Sequence, residues 1–151
     1  FPSSGSFDLT RITHPEPTLE SDYSGIIDSS LAAVYIHSEA FTTTSQELLY
    51  VTGGATDSPE IMGRTAAIWN RKVVPIEKGG PALGAAVAGA YAACESENLS
   101  FDVEQFSQKV LKRGKSIAPN PAEVAAYHNP SGYLEQFRTE EAKIISQHPI
   151  E

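Results

Sequence analysis

The stretch "LLYVTGGATDSPEI", residues Leu48 to Ile61, joins a short apolar run to a polar, proline-marked helix start through Gly53 and Gly54. A strand that ends in Gly-Gly and feeds a helix N-terminus sets unpaired backbone N–H groups and the positive end of a helix dipole at the carboxyl edge of a sheet. That edge is where α/β proteins bind ligands. Without Cβ atoms, a flat ring or a phosphate can come close to the main chain. The same residues also make an ordinary capped turn, and this segment alone does not separate the two readings. A second junction, "GGPALGAA" from Gly79 to Ala86, places another bare helix entry after the next apolar run. Two adjacent strand-to-helix junctions would then present backbone to one cleft. Taken alone, Gly84, Ala85, Ala86, Ala88, Gly89 and Ala90 read as close helix packing.

Several other chemistries fall away. Gly79 to Gly84 has the spacing of a phosphate loop, but Ala85 and Ala86 stand where Lys and Ser/Thr would be required. His37-Ser38-Glu39 has the H-x-E of zinc deaminases, but no P-C-x-x-C completes a zinc shell. His14, His128 and His148 lack metal-ligand spacing and read as surface or loop residues. Cys94 has no assignable His and carboxylate partners, so it reads as a packed thiol. Asp57 and Glu60 are tempting acids, but a helix start favours acids in any case, and both read as capping residues.

The elements needed to position the glycine junction follow from periodicity. Ile26, Ile27, Leu31, Val34, Tyr35 and Phe41 recur at helical spacing and predict a helix from Tyr23 to about Phe41. After the turn-like "TTTSQE", Leu48–Val51 suits a parallel strand buried on both faces. A second helix starts with Ser58 or Asp57 as N-cap and Pro59 just inside, with Ile61, Met62, Thr65, Ile68 and Trp69 as its inner face. "KVVPIE" predicts a second strand, and a third helix enters through Gly79, Gly80 and Pro81. The tail predicts a helix over Val103 to Arg113, a turn at "APNPAE", and a last helix from about Ser131 to Ser146. Crossovers of this length make the two strands parallel neighbours, half of an α/β sandwich whose remaining strands are expected upstream of Phe1.

The chain's 151 residues, 40% apolar and 20% charged, suit a globular protein with one core. Its 19 acidic against 11 basic residues give a net charge of -8, which disfavours nucleic acid and anionic lipid as partners. The basic cluster Lys109, Lys112, Arg113 and Lys115 reads as a solvated helix end. A lone cysteine fits a reducing, cytoplasmic setting, and no run reaches membrane-spanning length. Residues 1–22, beginning at Phe1 without a methionine and rich in Pro, Ser and Thr, read as an irregular segment cut from a larger chain.

"LLYVTGGATDSPEIMGRTAAIWNRKVVPIEKGGPALGAAVAGAYA" resembles the C-terminal domain of the FGGY carbohydrate kinases, and within that family the xylulokinase branch. Gly53, Gly54 and Ala55 match the family's adenosine-binding turn, and Ala82-Leu83-Gly84-Ala85-Ala86 its Ala-Leu-Gly-Ala-Ala helix. "YIHSEAF" and "YLEQFRTEEAKI" are of the same type. The chain departs from the pattern at Ser58, often Asn in relatives, at Gly63, often Gln, and at Ala67, where an Ala-Asp pair has its Asp.

The resemblance implies an α/β, ribonuclease H-like lobe of the sugar kinase/Hsp70/actin superfamily, with residues 23–151 as part of the C-terminal nucleotide-binding domain. It implies transfer of the γ-phosphoryl group of Mg-ATP to a sugar hydroxyl, most readily from ATP to D-xylulose. Gly53, Gly54 and Ala55 would approach the nucleotide through backbone, and Ser58 would offer a hydroxyl. The sugar-binding lobe, first phosphate loop, catalytic aspartate and most magnesium ligands would lie in the N-terminal part of the same protein, so no catalytic residue is assigned here. Another sugar or polyol (ribulose, gluconate, glycerol), a non-catalytic nucleotide sensor, and a homodimer all stay open.

Overall fold

The computed structural model describes residues 10–12, 16, 18–42, 47–76 and 80–147. The readings of His14, His148 and Gly79, of most of the 1–22 segment and of the turn at 43–46 lie outside these residues. The element order is α1 (Leu19–Ser38), β1 (Leu48–Val51), a 3₁₀ turn (Gly54–Asp57), α2 (Pro59–Trp69), β2 (Lys72–Pro75), α3 (Gly80–Ser96), α4 (Val103–Val110), α5 (Pro121–His128) and α6 (Tyr133–Gln147). Contacts divide the chain into two compact units, 44–120 and 1–43 with 121–151.

In the sheet unit, β1 and β2 pair in parallel, with Leu48 opposite Lys72 and Val51 opposite Pro75. The crossover helix α2 is capped at Ser58 and stopped at Asn70, whose φ of 47° and ψ of 44° end the helical run. Met62 and Ala66 lie one turn apart on its inner face, and with Val73 they form a core flanked by Leu49, Val51 and Ile117. Thr65 is buried on the same helix, and its hydroxyl donates to the Ile61 carbonyl at 2.7 Å, so no polar group is stranded there.

Two expectations in this unit change. The helix read as Val103 to Arg113 ends at Val110, because Leu111 turns into extended backbone. The chain then runs antiparallel along β2: Val73 and Ile117 exchange N–H···O bonds of 2.9 and 2.8 Å, and Arg113 bridges Ile76. Pairing with an open strand edge satisfies backbone groups that Gly114, a poor helix former, would have left frayed. The small-residue face of α3 is not a packing face among the described residues. Gly84, Ala85, Ala86, Ala88 and Gly89 are exposed, and a Cβ on Gly84 or Gly89 would meet nothing within 4 Å. Small residues permit close approach but contribute little apolar area of their own to hold a partner.

The helical unit consists of α1, α5 and α6. α1 begins at Leu19 rather than Tyr23, because Thr18 and Ser21 form a reciprocal capping box of two 3.0 Å bonds. The turn expected at "APNPAE" is instead the entry to α5: Pro121 occupies its first position, where a missing N–H costs nothing. Ala32, Tyr127 and Leu134 are buried, and the Tyr127 hydroxyl donates to Asp28 at 3.0 Å. Pairs of His37 with Glu141 at 3.0 Å and Arg138 with Glu39 at 2.6 Å tie α1 to α6. His37-Ser38-Glu39 thus serves the helix pair.

Candidate functional site

The backbone leaves β1 through Thr52 into Gly53, whose φ of 101° and ψ of -169° lie in a region open in practice only to glycine. The Gly53 carbonyl accepts the Thr56 N–H at 3.2 Å and the Thr56 hydroxyl at 2.7 Å, which closes the 3₁₀ turn. Ser58 follows as the N-cap of α2. Its Oγ accepts the Ile61 N–H at 3.3 Å and donates to Glu60 at 3.1 Å. Gly53, Gly54, Ala55 and Ser58 therefore come together in one turn at the carboxyl end of β1.

The roles inside that turn differ from residue to residue. The single O–H of Ser58 is committed to Glu60, so its capacity toward a ligand is that of an oxygen acceptor unless the cap rearranges. Glu60 supports the cap, whereas Asp57, also read as a capping acid, precedes the cap and lines a cleft. A Cβ built on Gly54 would meet nothing within 4 Å, so the space in front of the turn is open. Gly80 is the opposite case. A Cβ there would lie 2.8 Å from both Cγ2 and Oγ1 of Thr52, so the missing side chain lets the first residue of α3 press on β1's exit.

The cleft beside the turn has a volume of about 560 Å³. Thr56 and Asp57 come from the turn, Pro75 and Ile76 from the end of β2, and Lys112 and Arg113 from the segment paired with it. The Arg113 guanidinium carbon sits 5.1 Å from the centroid of the Tyr50 ring, a cation–π contact on β1. The solvated-helix-end reading of the basic cluster therefore holds only for Lys109. Lys112 and Arg113 lie beyond α4 and join the cleft. The available signal was four basic residues within Lys109 to Lys115 of an otherwise acidic chain.

One departure from the family pattern has a local explanation. Ala67 is fully buried, where an unpaired carboxylate would be costly. Among the described residues no group of three or more His, Cys, Asp or Glu is disposed to hold a metal ion. With Asp57 as the one carboxylate among the described residues of the cleft, these side chains do not fit a protein-built magnesium cage.

The helical unit has a cavity of its own, about 440 Å³, mostly apolar, among Ile12, Gly25, Tyr133, Phe137, Ile144 and Ile145. Burial, then the charge of Asp28, pushes the Tyr133 phenol up to about 12. Arg11, also on this cavity, grips Asp22 through bonds of 2.9 and 2.8 Å, and that hydrogen bonding holds the Asp22 carboxyl below its ordinary value. None of the residues singled out by the glycine junction lies here.

The model of the FGGY family of carbohydrate kinases, C-terminal domain, matches residues 6–93, more than half of the chain and inclusive of the turn. No curated protein matches the sequence significantly. Among solved structures, a ligand-bound xylulose kinase from Lactobacillus acidophilus is 20% identical with a TM-score of 0.62, over 93% of this chain and 27% of that one. A xylulose kinase from Rhodospirillum rubrum is 19% identical with a TM-score of 0.65, over 91% and 26%. A gluconate kinase from Lactobacillus acidophilus is 22% identical with a TM-score of 0.60, over 93% and 26%. At these identities the likeness shows the fold, and the chain spans about a quarter of the length of those kinases. The two-stranded parallel sheet and its helices are a partial sugar kinase/actin-type lobe, and the chain belongs to the FGGY family of carbohydrate kinases, within their C-terminal domain.

Proposed function

We propose that the chain is part of the nucleotide-binding lobe of an ATP-dependent sugar kinase, which in the whole protein phosphorylates a sugar hydroxyl, with D-xylulose the first candidate. The observation that carries this reading is the turn Gly53–Ala55, which lies inside the family match and combines a glycine-only backbone with open space before Gly54. A bound nucleotide would rest against this backbone, with the Ser58 oxygen as an acceptor nearby. ATP supplies the phosphoryl group; the residues of this chain bind and orient it and move no proton. The base, the sugar pocket and the magnesium ligands are assigned to the remainder of the protein. Gluconate belongs beside xylulose in any substrate panel, because the gluconate kinase is as similar in fold as the two xylulose kinases.

Gly54→Val in the intact protein tests the reading. Its side chain would occupy the space in front of the turn without requiring a strained φ. ADP affinity, measured by calorimetry, should fall roughly a hundredfold, the equivalent of ~3 kcal/mol of steric exclusion. Sugar affinity should change by less than about twofold, as expected for a separate site. Unchanged ADP affinity would overturn the assignment, and a coupled assay across pentuloses, gluconate and glycerol identifies the acceptor.

A further inference from the structure

We propose that Lys112 and Arg113 contact the phosphate oxygens of the bound nucleotide, and that Tyr50 holds the Arg113 guanidinium in position to do so. This inference rests on the nucleotide reading above and adds what the cleft recognises.

Charge is the first argument. A chain with a net charge of -8 repels anions over most of its surface, so a nucleotide's phosphates need a local reversal of sign. The cleft supplies one: among the described residues, Lys112 and Arg113 line it, against the single carboxylate of Asp57.

Rigidity is the second. Arg113 is bridged to Ile76, and the next residue, Gly114, donates its N–H to the Pro75 carbonyl at 2.8 Å. The two cations therefore stand on backbone fixed to the carboxyl end of β2, beside the carboxyl end of β1 where the glycine turn begins. Side chains carried by paired backbone hold a ligand geometry better than side chains on an untethered loop.

The contact with Tyr50 is the third. An arginine side chain has many rotamers, and ordering it at the moment of binding costs affinity. Stacked 5.1 Å over the ring, the guanidinium is already oriented, while its five N–H donors, directed outward in the plane, remain suited to phosphate oxygens. Tyr50 is 43% exposed, so its ring is accessible for this contact. It acts through Arg113 and is a positioning residue.

The competing role for Lys112 and Arg113 is to guard an open sheet edge against pairing with other chains. That role predicts lower solubility on neutralisation and no change in nucleotide binding, so the two are separable.

The experiment compares ADP with adenosine on the intact protein, because adenosine lacks the phosphates. In Lys112→Ala/Arg113→Ala, ADP affinity should fall roughly ten- to a hundredfold, the range for lost charge-assisted hydrogen bonds. Adenosine affinity should move by less than about twofold. The salt dependence of ADP binding should flatten in the same variant. Arg113→Lys should recover part of the loss. Tyr50→Leu should weaken ADP several-fold, on the order of one cation–π contact, with adenosine again unmoved. Thermal midpoints of the ligand-free variants show which of them fold; Lys112→Gln and Arg113→Lys retain side-chain bulk where the alanine pair does not fold.

Equal losses for ADP and adenosine would overturn the inference, because they mean a structural role. ADP affinity within twofold of wild type, with Gly54→Val still lowering it roughly a hundredfold, would overturn the inference and leave the nucleotide reading intact. Wild-type protein that binds no ADP would overturn both.

Discussion

The two units of the chain are held together by different forces. In the sheet unit, a continuous apolar cluster of Met62, Ala66 and Val73 is excluded from water and flanked by Leu49, Val51 and Ile117. In the helical unit, few of the described side chains are buried, and α1, α5 and α6 are joined by a hydroxyl–carboxylate bond, the His37–Glu141 and Arg138–Glu39 contacts and edge-on aromatic rings. Apolar burial scales with area and tolerates no missing atom, whereas solvent-facing ion pairs contribute little each. The glycine turn and its cleft are built on the unit whose core is apolar. A site that must keep backbone within a fraction of an ångström of a ligand is better served by such a base.

That contrast can be broken most sharply at Met62, which is 1% exposed. Met62→Ala should cost about 2–5 kcal/mol, seen as a lower denaturant midpoint of the intact protein and lost amide protection across 47–76. Protection across 19–38 should be retained. Next comes Gly53→Ala, which places a Cβ on backbone at φ 101° and should cost about 1–3 kcal/mol of strain although the space around it is open. Paired with Gly54→Val it sharpens the account of the turn: Gly53 is required by conformation, Gly54 by the room it leaves.

A smaller effect is expected in the helical unit. Tyr127→Phe removes the donor to Asp28 and should cost about 1.5 kcal/mol, with protection falling in α1 and α5 and unchanged in β1. The smallest is Asp22→Asn, which leaves Arg11 without its charged acceptor. Because the folded carboxyl lies below its ordinary 3.8, the wild-type advantage is present above that pH and disappears as pH falls through the lower folded value. A stability difference that grew on acidification would contradict the pairing.

What the sequence made legible cuts across that divide. β1 and β2 were readable as short apolar runs between turn signals, and α2 because Ser58, Pro59 and the Met62/Thr65/Ile68 spacing all agree. α5 was hidden because a proline that starts a helix and one that ends it look alike until the following residues are seen in space. The segment 113–117 was hidden for a different reason: "RGKSI" has no strand periodicity, and it pairs with β2 because an edge is available there. The glycine turn could be located from its residues alone. The cationic side of its cleft could not, because Lys112 is separated from Asp57 by a helix, a strand and two more helices before the fold returns it to the site.

Gly80 and Thr52 touch without slack, because even a methyl group on Gly80 would collide with the Thr52 side chain. A side chain at position 80 would therefore have to displace Thr52, the residue that leads into Gly53.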